Sequence, residues 1–447
     1  MDATDVIVVG AGFAGLNAAR HLEARGKRVV VVEARDRVGG RVETLRRDDG
    51  TWVDVGGQWV GPTQDHLYAL AAEVGVNTFA THAEGKNVLV IGGRRSEYRG
   101  TIPGIQPLAL LDLGRLIAKL DAMASTVPLD DPWRAPDALA WDRQTLATFL
   151  ESATHFHASR RLVEVGLETV FACDAADVSL LFALFYIRSG GGVQRLLDVR
   201  NGAQQDRFVG GAQAVALALA AKLEGDVRLS SPVRTVDQEG ERVVVSGDGF
   251  ALSASHVVVA VPPPLVARID FRPMLPVDRD LLLQRMPMGS VMKCTAIYRK
   301  PFWRDAGLSG QMVHDEGPIG STFDSSVPGH ATGMLMGFAE GNHARILRRE
   351  PPAERRRQVL ACLARAFGPQ ALEPLDYVDK SWAEEPYTRG CYAAFMPPGV
   401  LTSYGKYLRA PCGRIHWAGT ETSAVWNGYI EGALRSGERV ADEIAPA

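Results

Sequence analysis

A β-branched run, Asp5-Val-Ile-Val-Val9, leads directly into Gly10-Ala-Gly12-Phe-Ala-Gly15. No other feature constrains the fold of this chain as much. The run has no polar alternation, as expected of a parallel strand covered on both faces. In G-x-G-x-x-G the first glycine makes a tight turn and the second lets backbone approach a pyrophosphate. The third lets helix pack closely on strand, and the anion rests on the helix N-terminus. A helical pattern of about twelve residues follows and stops at Gly26, a residue suited to end a helix. A second apolar run, Arg28 to Val32, ends in Glu33, 18 residues beyond Gly15. An acceptor for a ribose hydroxyl is expected there. Strand, helix and strand make a βαβ unit built for a dinucleotide.

The next segment, Arg37-Val-Gly-Gly-Arg41, sets two glycines beside two arginines. It offers close backbone approach and a guanidinium geometry that suits phosphate or ring oxygens. A nicotinamide site has no need of this second element, so FAD is expected rather than NAD. Val53-Asp-Val-Gly-Gly-Gln-Trp-Val-Gly-Pro-Thr63 adds glycines beside aromatic surface, as a planar ring against backbone requires. No second G-x-G-x-x-G occurs. Such a flavoprotein takes electrons from its own substrate and passes them to dioxygen, a quinone or another protein.

Length and pattern set the organisation. At about 150 residues per domain, 447 residues suggest two or three units. Helical patterns are expected at 64–74, 108–123, 146–153, 157–171, 178–187, 211–223, 352–367 and 429–444. Strand patterns are expected at 87–91, 227–236, 242–246, 256–261 and 293–298. Dinucleotide-type signals sit at both ends of the chain and again near 209–280. The expected fold class is α/β, a Rossmann-type FAD-binding domain interleaved with an α+β substrate-binding domain. The FAD-binding unit takes 1–80, 209–283 and 385–447, and the substrate unit takes 81–208 and 284–384.

Towards the C-terminus stand Arg389-Gly-Cys391-Tyr392, Ala418-Gly-Thr-Glu-Thr422 and Trp426-Asn-Gly-Tyr-Ile-Glu-Gly-Ala433, the last opening a helix. The N-terminal end of that helix, near Gly428 and Tyr429, is suited to stabilise negative charge on a reduced ring. Together with GAGFAGL, EARDRVGGR, DVGGQWVGPTQ, FVGG, GSVMKC and PFWR, the series resembles the flavin monoamine oxidase family. The resemblance runs from Val6 to about Ile444.

The resemblance implies FAD-dependent oxidation of a primary or secondary monoamine to an imine and then an aldehyde. Dioxygen would be the acceptor, with hydrogen peroxide and ammonia released. It implies FAD contacts at Gly10, Gly12, Ala14, Gly15, Glu33, Ala34, Arg35, Gly40, Arg41, Gly57, Gln58 and Trp59. Further contacts fall on Val233, Trp382, Cys391, Gly419, Thr420, Glu421, Gly428, Tyr429 and Ile430. Cys391 matches the cysteine that bonds the flavin 8α-methyl through a thioether, although many bacterial relatives keep a free cysteine beside noncovalent FAD. Both linkages stay open. Tyr392 and Tyr429 match the tyrosines that flank the substrate nitrogen, where ring faces attract or orient an amine. Lys293 matches the lysine that holds a water at flavin N5, where positive charge assists reoxidation. An unpaired buried lysine is otherwise costly. By position Val170, Leu196, Leu197, Gln204, Ser321 and Phe338 resemble the substrate cavity wall.

Diamine, polyamine and L-amino-acid oxidation use the same scaffold. Asp198 and Asp324 are the candidate acids for a distal ammonium, and Arg188 and Arg195 are the candidate cations for a carboxylate. A flavin-binding interaction protein without turnover is the reading from another class. Basic residues number 49 against 52 acidic ones, so the chain has no basic excess with which to hold nucleic acid. Five cysteines lack C-x-x-C spacing and ten histidines lack metal spacing, so neither a disulfide framework nor a metal site is expected. No apolar run approaches the roughly 20 residues of a membrane span, and no signal peptide is evident. A cytoplasmic protein acting on a small amine is expected, as a homodimer by family habit.

Overall fold

The computed structural model describes residues 4–100 and 103–446. The outermost residues of the expected FAD-binding unit, 1–3 and 447, lie outside the described residues, as do 101–102 of the substrate unit. The helices that position the site are α1 (Phe13–Glu23), α2 (His157–Phe171), α3 (Leu180–Ser189) and α4 (Ile430–Ile444). In chain order the strands are β1 (Val6–Val9), β2 (Val29–Val32), β3 (Lys86–Ile91), β4 (Arg94–Tyr98), β5 (Val227–Arg228) and β6 (His256–Val259). They continue with β7 (Val291–Tyr298), β8 (Leu308–His314), β9 (Ser321–Asp324), β10 (Gly333–Glu340), β11 (Asp376–Ser381) and β12 (Ile415–Trp417).

The first sheet runs β5-β2-β1-β6-β12 and is parallel throughout. All four residues of β1 are buried, which explains its uninterrupted valine and isoleucine. On one side α1 packs along α4, and the fit is close. A methyl carbon added at Gly437 would lie 2.5 Å from Ala14 O. This sheet joins strands from residues 6 to 417, so the chain returns to it from opposite ends.

The second sheet has seven strands in the order β11-β7-β10-β9-β8-β3-β4. Its centre is fully covered, since every residue of β7 and β10 is buried. The β7–β10 register pairs Lys293 with Phe338 and Val291 with Glu340. The β9–β10 register pairs Ser321 with Phe338. These pairings bring three expected site residues to one patch of the sheet.

The helical patterns all correspond to helices, with ends displaced by two or three residues at most. One strand expectation is corrected. The run 227–236 is not one strand: Val227–Arg228 joins the parallel sheet and Val233–Asp237 a separate antiparallel sheet. Ser230 takes a positive φ of 51° and Pro232 has no N–H to donate, so the ladder breaks between them.

Candidate active site

One cavity of about 510 Å³ runs from the first βα turn to the face of the second sheet. Its beginning is set by glycine. Gly10 has φ of 106°, and a methyl carbon on Gly15 would lie 1.9 Å from Gly10 O. Only glycine allows this turn to close onto α1. Gly15 itself does not line the cavity, and its part is helix–strand packing. Gly12 and Gly40 face one another across the opening. A methyl carbon on Gly40 would stand 3.2 Å from Gly12 Cα and would fill the cradle between them. Gly12 caps α1 without a side-chain hydrogen bond, so the amides of the first turn face the cavity with capacity to spare.

Glu33 is buried beside this turn. Its carboxylate accepts hydrogen bonds from Ala11 N at 2.8 Å and Arg35 N at 3.0 Å. Ala34, Arg35 and Val233 line the same end of the cavity, with Arg234, Arg268 and Tyr387 beside them. The last three were not expected from the sequence. They come from segments whose only mark is a charged or aromatic residue after a turn.

At the other end the walls are glycine, aromatic rings and one ion pair. Gly57, Gln58 and Trp59 line one side, and Gly419, Thr420, Gly428, Tyr429 and Ile430 line another. Arg41 crosses the base. Its guanidinium donates to Tyr392 O at 2.9 Å and to both oxygens of Glu421, at 2.5 and 3.1 Å. Burial alone would push Glu421 up, but the charge and hydrogen bonds of Arg41 outweigh it and hold this carboxyl below its ordinary range. Glu421 also accepts from Ala394 N at 3.1 Å. It does not reach the cavity and acts by fixing Arg41 and the strap after Tyr392.

Cys391 faces the cavity, and burial pushes its thiol up to about 12. Tyr392 packs edge-on against Phe338, with ring centroids 5.7 Å apart. Tyr429 is held by Trp426 at 4.8 Å and Tyr186 at 6.1 Å. Burial raises both phenols well above their ordinary range, so they stay neutral hydroxyls on aromatic faces. Tyr186 also lines the cavity and went unrecognised, because on α3 it reads as one more apolar residue of a buried helix.

Lys293 sits mid-strand on β7 and is buried. Its ammonium donates to Gly56 O at 2.8 Å and Gln58 Oε1 at 2.5 Å, and no carboxylate is hydrogen-bonded to it among the described residues. Burial therefore brings its pKa down from 10.5 to about 7. It lies one layer behind the cavity wall, with Nζ 5.9 Å from the Trp59 ring and 5.8 Å from the Phe338 ring. Trp382 is likewise one layer back. Its indole donates to Val55 O at 2.8 Å and packs beneath Gly56.

The expected substrate wall divides. Val170, Gln204 and Phe338 line the cavity, joined by Thr169, Ala203 and Phe323. Leu196 and Leu197 do not line it. Leu196 fills the space over Gly190 and Leu197 that over Gly166. Ser321 is also set back, 3.4 Å from the Thr169 hydroxyl. Neither candidate acid lines the cavity. Asp324 is engaged by Trp303 and Arg304 at 2.9 and 2.7 Å, and Asp198 does not line the cavity. The candidate cations also stand apart, Arg188 being exposed and Arg195 donating to Thr63.

The cradle fits FAD. It has a glycine-lined anion site on a helix start, a buried carboxylate beside it, and a ring-sized space walled by backbone and aromatic faces. Trp59 Nε1 is a buried donor with no partner among the described residues. Among the described residues, no group of three or more His, Cys, Asp and Glu could hold a metal ion. No described helix is long and apolar enough to cross a membrane.

Comparison with known proteins agrees with this geometry. The family model described as flavin containing amine oxidoreductase matches residues 13–445. The chain is 46% identical over 441 residues to a putative flavin-containing monoamine oxidase, AofH, of Mycobacterium tuberculosis, covering 99% of this chain and 96% of that protein. It is 39% identical to the flavin-containing amine oxidase B of Sus scrofa, covering 99% and 86%. Among solved structures, a putrescine oxidase bound to putrescine superposes with a TM-score of 0.96 at 35% identity, covering 99% of each chain. A cyclohexylamine oxidase of Brevibacterium oxydans gives 0.95 at 34%, covering 99% and 98%.

Proposed function

We propose, from the premise that this chain belongs to the flavin containing amine oxidoreductase family and is a FAD-dependent amine oxidase, that it oxidises a primary or secondary amine between Tyr392 and Tyr429. The observation that carries this reading is that both tyrosines line the cavity that begins at the glycine turn. FAD, when bound, would supply the acceptor for a hydride equivalent from the amine α-carbon, with dioxygen as final acceptor and hydrogen peroxide released; the resulting iminium would be hydrolysed to an aldehyde, with ammonia from a primary amine or a smaller amine from a secondary one.

The chain supplies binding and orientation. Gly10, Gly12, Ala14 and the first turn of α1 hold the pyrophosphate, and Gly15 keeps that turn closed. Glu33 takes the ribose, and Ala34, Arg35 and Val233 take the adenine end. Gly40, Arg41, Gly57, Gln58, Trp59, Gly419, Thr420, Gly428, Tyr429 and Ile430 enclose the ring, with Trp382 and Glu421 bracing them from behind. The neutral phenols of Tyr392 and Tyr429 orient the amine by their faces. Lys293 places a titratable amine behind Trp59 and Phe338, where its positive charge favours reduced oxygen species. Gln204 Oε1, unpartnered among the described residues, accepts a donor from the substrate side.

An amino-acid oxidase reading has little support, because Arg188 and Arg195 stand away from the cavity. A homodimer in the cytoplasm belongs to this proposal and is tested by light scattering and fractionation. The linkage at Cys391 is tested by acid denaturation: yellow precipitate means a thioether, and a colourless pellet means noncovalent FAD. The function is tested by mixing FAD-loaded protein anaerobically with benzylamine, putrescine and phenylalanine. Bleaching by an amine supports it, and bleaching by phenylalanine alone overturns it.

A further inference from the structure

Lys293 does not line the cavity, yet both acceptors of its ammonium do. Gly56 O takes one N–H at 2.8 Å and Gln58 Oε1 takes a second at 2.5 Å. An ammonium has three donors, and the third has no acceptor among the described residues. Lys293 and Gln58 are 3% and 2% exposed, so the contact is made away from solvent. The amide is also held at its other end, since Gln58 Nε2 donates to Ser325 Oγ at 3.4 Å. The backbone that carries it is tightly seated. A methyl carbon on Gly56 would lie 2.4 Å from Arg41 O and 3.0 Å from Trp382 Cζ2, so only glycine lets this segment rest directly on the layer behind it.

The two acceptors differ in kind. Gly56 O is main chain, whereas Gln58 Oε1 is the one side-chain atom that accepts from this ammonium among the described residues, and it is neutral. The charged and titratable groups that face Lys293 are Asp54 and Arg207, which pair with each other at 3.6 Å, and the Cys391 thiol. On β11, Lys380 stands opposite Lys293 in register, but it is taken up by Glu43 and Glu385. Asp54 favours the charged lysine and Arg207 opposes it. Burial works to discharge the lysine, and hydrogen bonds to its charged form work against that.

We propose that Gln58 is a positioning residue for reoxidation: its amide holds the Lys293 ammonium against the cavity wall and keeps it charged there. This rests on the amine-oxidase reading above and on the place given there to Lys293. Gln58 acts through the lysine and transfers no proton itself. A neutral amide leaves the lysine titrating at about 7. A carboxylate at the same position would keep it charged to higher pH, and a hydrocarbon would discharge it at lower pH.

The test reads this pH dependence in FAD-loaded wild type, Gln58→Glu, Gln58→Leu and Lys293→Met. The bound flavin is reduced with dithionite and mixed with dioxygen at a series of pH values, so no amine enters the measurement. In wild type the reoxidation rate should break at about 7. The break should move up by about one pH unit or more in Gln58→Glu and down by about as much in Gln58→Leu, and it should vanish in Lys293→Met. Urea midpoints of the same proteins give a readout that involves no turnover. Their rise with pH towards 10.5 should begin higher in Gln58→Glu and lower in Gln58→Leu. Shifts of opposite sign are a signature that lost packing alone does not produce. A break that stays in place in both variants, or moves the same way in both, overturns the proposal. Should Gln58→Leu not fold, Gln58→Glu decides alone, because it keeps the size of the side chain and adds only charge. Failure of every amine to bleach the wild-type flavin overturns the amine-oxidase reading instead, and the urea midpoints still decide on Gln58.

Discussion

Glu421 and Glu340 are both buried near Tyr392, yet the chain treats them in opposite ways. Glu421 is met by the Arg41 guanidinium and by Ala394 N, and it stays ionised. Glu340 has one oxygen with no partner among the described residues and keeps its proton. On the ring side of the cavity the Arg41–Glu421 pair thus answers its own charge. Behind the far wall, out of the cavity lining, Glu340 Oε1 has no partner among the described residues. A cradle that holds one constant cofactor can close its polar network, and a buried acid that no cation meets stays neutral instead.

The largest effect should come from breaking the cradle. Gly15→Val puts a side chain into Gly10 O, and the protein is expected to lose FAD and soluble expression together, read by flavin absorbance per mole of chain. Glu421→Ala should be the next most severe. It strands the Arg41 charge, and breaking a buried pair costs about 3–5 kcal/mol, measured by denaturant unfolding of the FAD-loaded protein. Glu340→Leu should sharpen the contrast by being neutral or mildly stabilising in the same assay, since a buried polar group without a partner is exchanged for packing. Equal losses for the two glutamates would erase the distinction between the walls.

The first βαβ unit was legible because its signals are local: glycine spacing, helix period and the acid after the second strand all fall within residues 5–33. Most of the second sheet was not. β10, Gly-Met-Leu-Met-Gly-Phe-Ala-Glu, is buried on both faces and shows no alternation, and β4, β8, β9 and β11 were likewise unread. Glu340 reads as a polar strand end, and only the packed fold shows that it is buried. Leu196 and Leu197 show the reverse failure. Their position suggests a wall, but Gly190 and Gly166 draw them into the helical core. Most residues expected at the ring line the cavity because backbone geometry places them there, whereas Leu196, Leu197 and Ser321 stand back from it because their side chains pack elsewhere.

Smaller effects test the cage and the lysine. Replacing Tyr392 and Tyr429 together by alanine should lower amine turnover by about 10²-fold through lost orientation, with FAD still bound. Loss of FAD would make them structural. Lys293→Met should slow reoxidation by dioxygen far more than anaerobic reduction, and equal slowing would remove its assigned role. In wild type the reoxidation rate should fall as pH rises through about 7, where Lys293 loses its proton in the folded state. The same lysine affects stability. Its folded pKa lies below its unfolded value of 10.5, so the unfolded chain binds more protons between about 7 and 10.5. That contribution is present above 10.5 and is lost as pH falls to 7, and Lys293→Met should flatten the slope in urea midpoints across the interval.

The most direct measurement is anaerobic stopped-flow absorbance of the FAD-loaded protein mixed with an amine. The flavin band should bleach within the turnover time in wild type and far more slowly when Tyr392 and Tyr429 are both alanine. A flavin that stays oxidised with every amine, or bleaches equally fast without the two tyrosines, would contradict a cage that presents the amine to the ring.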